Sequence, residues 1–172
     1  MQRSYLDRKE AWAKRMAEKG ITNSKERSES RLPPGQHTVK KLPVLDLGIQ
    51  PKIEKSDWIL QIGGEVENEL NLNWESLMEF DYFEETSDFH CVTTWSKYDC
   101  KWGGVRMLEI LDRVRPHSGA KHVLFISYDG YTTNVSIEAL YSNQTLLATR
   151  LDGEPLLKEN GGPVRIIIPH LY

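Results

Sequence analysis

The hydrophobic period of the chain changes between residues 89 and 114, and this change constrains the fold more than any other stretch. Phe89, Cys91 and Thr93 alternate with His90, Val92 and Thr94, a period of two rich in β-branched and aromatic side chains that suits a half-buried strand. After Trp102-Gly103-Gly104, the residues Met107, Ile110, Leu111 and Val114 repeat at i, i+3, i+4 and i+7, which predicts a helix that Pro116 ends. Between the two periods, residues 89–105 hold both cysteines, two of the five tryptophans and a Gly-Gly pair. Such a stretch has the composition of a loop that carries function.

The flanking sequence gives further short elements without regular βαβ spacing or an internal repeat. Strands are expected over 58–63, 122–128, 145–150 and 164–168, with 122–128 the strongest. Asn73 is a good N-cap for a helical run over 74–80, and 136–141 offers one or two helical turns. Asp152-Gly153 reads as a hairpin turn, and Asp129-Gly130 opens a polar loop over 129–134. The acidic stretch 81–88 reads as a solvated face with Tyr82 and Phe83 turned inward. The fold class is therefore α+β and rich in strands. At the N-terminus, strong helix formers over 5–19, stopped by Gly20, predict a short amphipathic helix, followed by a polar linker over 21–31. Pro33 and Pro34 then impose an extended approach. The expected division is an N-terminal helix and arm over 1–36 and one domain over 37–172.

At 172 residues, a single domain with a real core is the natural size. A net charge of -3 gives no basic surface for nucleic acid. No run of about 18 apolar residues is present to span a membrane. Two cysteines cannot form a disulfide framework, and no apolar leader or twin-arginine pair opens the chain, so a reducing, cytoplasmic setting is expected.

Cys91 admits two readings. A free cysteine is often a small buried hydrophobe. The sharper reading is a thiolate acting as soft ligand or nucleophile, favoured by nearby cationic groups such as His90, Lys97 and Lys101. The sequence His90-Cys-Val-Thr-Thr-Trp-Ser96, then Trp102-Gly-Gly-Val105, resembles the active-site segment of the sulfite oxidase-like, molybdopterin-dependent oxidoreductases, in particular their heme-free bacterial branch. A second match lies far along the chain, in Asp152-Gly-Glu-Pro-Leu156 and Glu159-Asn-Gly-Gly-Pro-Val-Arg165. That family implies mixed sheets with short helices and a molybdopterin cofactor.

The resemblance gives Cys91 the role of molybdenum ligand and places Thr94, Trp95 and Ser96 beside the metal. It implies that Asn160, Gly162 and Arg165 hold the pterin, Arg165 through its planar fork on the phosphate. Thr38 and Lys41 precede the first strand where relatives supply cofactor contacts. His90 is expected to meet the substrate or screen the thiolate, and Tyr131 and Thr132 are second-tier pocket residues. Relatives continue past Pro169-His170-Leu171-Tyr172 into a segment with further lysine and tryptophan. The expected activity is two-electron oxygen-atom transfer on a small oxo-anion or sulfoxide-type substrate. With no Cys-x-x-Cys-His heme motif, a separate electron-transfer partner is implied. Two other readings stand beside it: a zinc site from His90, Cys91, Cys100 and His117 or His122, and an idle binding module that keeps the fold. The oligomeric state is not legible.

Overall fold

The computed structural model describes residues 31–44 and 50–172; the helix expected over 5–19 and most of the linker after it lie outside the described residues. In chain order the strands are β1 (His37–Thr38), β2 (Ile59–Ile62), β3 (Leu70–Asn73), β4 (Tyr82–Cys91), β5 (Trp95–Arg106), β6 (His122–Ile126), β7 (Thr132–Ser136), β8 (Leu146–Leu151), β9 (Glu154–Pro155) and β10 (Arg165–Ile167). Among the described residues, two short α-helices, α1 (Trp74–Leu77) and α2 (Met107–Val114), and four 3-10 segments complete the α+β fold. The chain divides into two compact units, one holding residues 31–42, Ser87–Asp99 and Tyr172, the other Pro43–Thr86 and Cys100–Leu171.

In the first unit β4 ends at Cys91 and β5 begins at Trp95, joined by the three residues Val92, Thr93 and Thr94. Thr94 takes φ 75° and its amide donates to the Cys91 carbonyl at 3.0 Å. A three-residue loop closed by a left-handed residue is a standard hairpin connection. The single strand expected through Thr94 therefore stops three residues early, because the turn uses Thr93 and Thr94. β1 runs parallel to the start of β5, pairing His37 with Trp95 and Thr38 with Ser96.

The second unit carries the main core, in which Trp58, Leu72, Leu77, Phe80, Val105, Ile110, Leu140 and Ile168 pack together. As its spacing predicts, α2 buries Met107, Ile110, Leu111 and Val114, and it ends on a left-handed Arg115 just before Pro116. α1 is shorter than expected, but its start is as read: Ser76 N–H donates to Asn73 Oδ1 and Asn73 N–H to Ser76 Oγ, both at 2.9 Å. β2 pairs with β3, and β6 with β7, each as an antiparallel pair. β8 pairs antiparallel with β10 and β9, and with β5 from Trp102 to Arg106. The hairpin turn at Asp152-Gly153 has φ 53° and 85°, the signs of a type I′ turn.

Three local expectations are corrected. Gly103 and Gly104 lie within β5, where the β8 register shifts between them. A side chain at Gly104 would overlap the Leu147 carbonyl, so close strand approach requires this glycine. The acidic stretch after Asp81 is itself β4, and Tyr82 faces outward with 56% of its surface exposed. Thr132, Thr133 and Asn134 belong to β7, not to a loop, because they complete the antiparallel ladder with β6.

Candidate functional site

Cys91 is half-buried at the end of β4 and its thiol is free. The buried Thr93 hydroxyl, two residues on, donates to Sγ at 3.2 Å, with the sulfur as acceptor. The Cys91 carbonyl accepts twice, from the Thr94 amide and from Gln36 Nε2 at 3.3 Å. The other end of the Gln36 amide, Oε1, accepts from Ser96 Oγ, and Ser96 Oγ lies 2.8 Å from His90 Nδ1. Gln36 therefore ties together the Cys91 backbone, Ser96 and His90. It was not among the residues singled out from sequence, and the only signal for it was its place in the extended approach to Thr38.

The arm that delivers Gln36 is fixed at several points. His37 N–H donates to the Thr94 carbonyl at 3.0 Å and Val39 N–H to the Ser96 carbonyl at 2.8 Å. Further out, Arg31 grips both strands of the hairpin, donating to Asp88 at 2.6 and 2.8 Å and to Asp99 at 2.5 Å. Its guanidinium also lies over the Tyr98 ring at 4.7 Å. Its bonds to Asp99 and Asp88 raise the Arg31 pKa. Burial pushes the Asp88 carboxyl up, but the Arg31 hydrogen bond and the Asp99 N–H hold it below its usual range.

Trp95 is buried, stacked on Phe89 at 5.4 Å, and its Nε1 has no hydrogen-bond partner among the described residues. A buried donor without an acceptor is rare in a finished interior and marks a position that a bound group would satisfy. The hydroxyl-contacted thiol of Cys91 and the indole N–H of Trp95, four residues apart in the same hairpin, are donor types that fit a thiolate-ligated metal carried on a polar organic cofactor. Thr94 is half-buried in the same turn, and Thr38 and Lys41 are exposed on the arm.

In the second unit Arg165 is half-buried at the start of β10 and donates to the Asn160 carbonyl at 2.9 Å. Its guanidinium lies 5.7 Å from the centroid of the fully buried Trp102 ring. Gly161, at φ 95°, lets the 3-10 segment Lys158–Asn160 end against the Arg165 side chain. A side chain at Gly162 would overlap the Leu156 carbonyl, so the chain's own packing demands glycine there. Gly162 also lines an open cavity of about 420 Å³, together with residues 53–56, Leu156, Lys158 and Pro163. Asn160, Gly162 and Arg165 thus lie on one short stretch from the 3-10 segment to β10, whereas Tyr131 directly precedes β7 and Thr132 opens it, half-buried and exposed respectively.

Among the described residues, no three His, Cys, Asp or Glu side chains gather to hold a metal, which leaves the zinc reading without a site. No helix among them is long and apolar enough to cross a membrane.

Comparison with known proteins adds an independent line. Residues 47–172 match the family described as oxidoreductase molybdopterin binding domain. The chain is 36% identical over 154 residues to the uncharacterized oxidoreductase YuiH of Bacillus subtilis, covering 89% of this chain and 77% of that protein. It is 32% identical over 136 residues to the protein-methionine-sulfoxide reductase catalytic subunit MsrP of Xanthomonas axonopodis pv. citri, covering 70% of this chain but only 42% of that relative. Among solved structures, the sulfane dehydrogenase SoxCD from Paracoccus pantotrophus has the same fold, with a TM-score of 0.62 and 21% identity over 69% of this chain and 35% of that one.

Proposed function

This chain belongs to the sulfite oxidase-like family of molybdopterin-binding oxidoreductases, and on that premise we propose that it performs two-electron oxygen-atom transfer with Cys91 as the protein ligand to molybdenum. The observation that carries this reading is the placement of the Cys91 thiol: free, half-buried, at a turn, with a hydroxyl donating to its sulfur. A soft thiolate suits molybdenum beside the sulfur ligands of a pterin. When bound, the cofactor supplies the exchange of an oxygen atom and two electrons with substrate.

The remaining work falls to the chain over 37–172. Thr93 supports the sulfur, and the Trp95 indole offers its unpaired N–H to the cofactor. Thr94, Ser96, Thr38 and Lys41 frame the same neighbourhood in sequence and on the arm. Arg165, flanked by Asn160 and Gly162, presents a planar cation suited to a phosphate. His90 is the ionisable side chain next to the ligand and the natural group to receive or return a proton. Tyr131 and Thr132 are held as outer contacts. The substrate class is a small oxo-anion or sulfoxide, the latter supported by the likeness to a methionine-sulfoxide reductase subunit. A separate electron carrier serves the reaction.

The test is metal analysis of protein made in a host that synthesises the pterin. Wild type retains molybdenum and pterin, while Cys91→Ser folds normally but loses molybdenum-dependent turnover. Equal turnover in the variant removes Cys91 from the ligand role. Protein that carries neither metal nor pterin would instead indicate a binding module without catalysis.

A further inference from the structure

The hydrogen-bond directions around Gln36 follow one from another, because the series starts on an atom that can only accept. A backbone carbonyl has no proton to give, so the amide nitrogen of Gln36, not its oxygen, must face the Cys91 carbonyl. That orientation turns Oε1 toward Ser96, whose hydroxyl donates to it. A hydroxyl carries one proton. With that proton directed at Gln36, Ser96 Oγ presents only lone pairs to His90 Nδ1, 2.8 Å away. Nδ1 must then be the protonated ring nitrogen, and in the neutral imidazole Nε2 keeps the lone pair. Ser96 is fully buried, so water does not compete for its hydroxyl.

We propose that Gln36 is a positioning residue which, through Ser96, holds the neutral His90 ring as its Nδ1–H tautomer with Nε2 as the acceptor, while the same amide anchors the Cys91 carbonyl. Only an amide serves here, since it has a donor and an acceptor a fixed distance apart. Glutamate lacks the donor at neutral pH and leucine lacks both. The backbone bonds of His37 to Thr94 and of Val39 to Ser96 keep the amide in register with the turn. The consequence for catalysis rests on the reading of Cys91 and His90 given above: the acceptor nitrogen is chosen before substrate arrives, with no tautomer exchange needed. The tautomer itself does not depend on that reading.

The test uses cofactor-free, 15N-labelled full-length protein and long-range proton–nitrogen correlation of the imidazoles at about pH 9, above the imidazole range. His90 resonances are assigned with His90→Gln. Wild type is expected to show Nδ1 protonated and Nε2 bare. In Gln36→Leu and, separately, in Ser96→Ala, the bias is lost and the Nε2–H form rises to half of the population or more. A wild-type His90 protonated on Nε2 overturns the proposal outright, as does an unchanged Nδ1–H form in the Gln36 variant or in Ser96→Ala. If Gln36→Leu does not fold, Gln36→Ala takes its place in the same comparison. These spectra need no molybdenum, so failure of the ligand assignment at Cys91 and failure of the tautomer assignment at His90 are read from different experiments.

Discussion

Thr94 holds a β-branched side chain at φ 75°, where its Cβ crowds the backbone at a cost of about 1–2 kcal/mol. Strain of this kind persists where the surroundings over-determine it, and here they do: the Thr94 N–H bonds to the Cys91 carbonyl while its own carbonyl accepts from His37. Glycine would adopt the same conformation without the crowding but loses more freedom on folding, about 0.5–1 kcal/mol. Thr94→Gly is therefore expected to be as stable as wild type or up to about 1 kcal/mol more stable in urea unfolding. Its molybdenum and pterin content is expected to fall, because Thr94 is proposed to frame the cofactor beside Cys91. A loss of stability would show that Thr94 packs rather than strains. Residues at this scale were unevenly legible. Cys91 stood out because a thiol with Trp95 and Ser96 behind it forms a local motif. Gln36 did not, because its partner lies 55 residues away and a lone glutamine in an extended run has no period.

At the scale of elements, β1 is only two residues long, too short to hold itself in place by its ladder. Its anchorage depends on side chains, chiefly Arg31 between Asp88 and Asp99. The Asp88 carboxyl is held below its usual pKa, so its contribution to stability is present above the unfolded value of about 4 and lost as pH falls through its lowered folded value. The stability difference between wild type and Asp88→Asn should therefore be largest near neutral pH and shrink in acid. Chemical unfolding at stepped pH measures it, and a gap that widens in acid would refute the sign. In the same experiment, hydrogen exchange at the His37 and Val39 amides should quicken in Asp88→Asn, since the arm loses its outer clamp. α2 was legible throughout because its four buried residues face one way by local geometry. The hidden length of β5 was not, since its two glycines look like a break. Gly104 is there because the Leu147 carbonyl comes close, and that partner is remote in sequence.

At the scale of the whole molecule, Leu140 serves the core while Arg165 is proposed to serve the cofactor, and the separation between these two residues can be measured. Leu140 is fully buried on a 3-10 segment of the second unit, within the core cluster, and is not among the proposed cofactor residues. Truncation removes apolar contacts and leaves a cavity, so Leu140→Ala should cost about 2–5 kcal/mol in urea unfolding with an unchanged m-value. Arg165 is not a member of that cluster; its aliphatic stem lies along Gly161 and its head meets the Asn160 carbonyl and the Trp102 ring. Charge-assisted hydrogen bonds contribute about 1.5–3 kcal/mol, so Arg165→Ala should weaken pterin retention about ten- to hundredfold. Its cofactor-free melting temperature should shift less than that of Leu140→Ala. Two measurements on each variant suffice: pterin content after purification, and melting of the cofactor-free protein. If Arg165→Ala loses fold and pterin in step, the arginine is a structural ion partner and the phosphate role fails. If Leu140→Ala keeps its stability, the second unit does not depend on the core from which its strands and helices were derived.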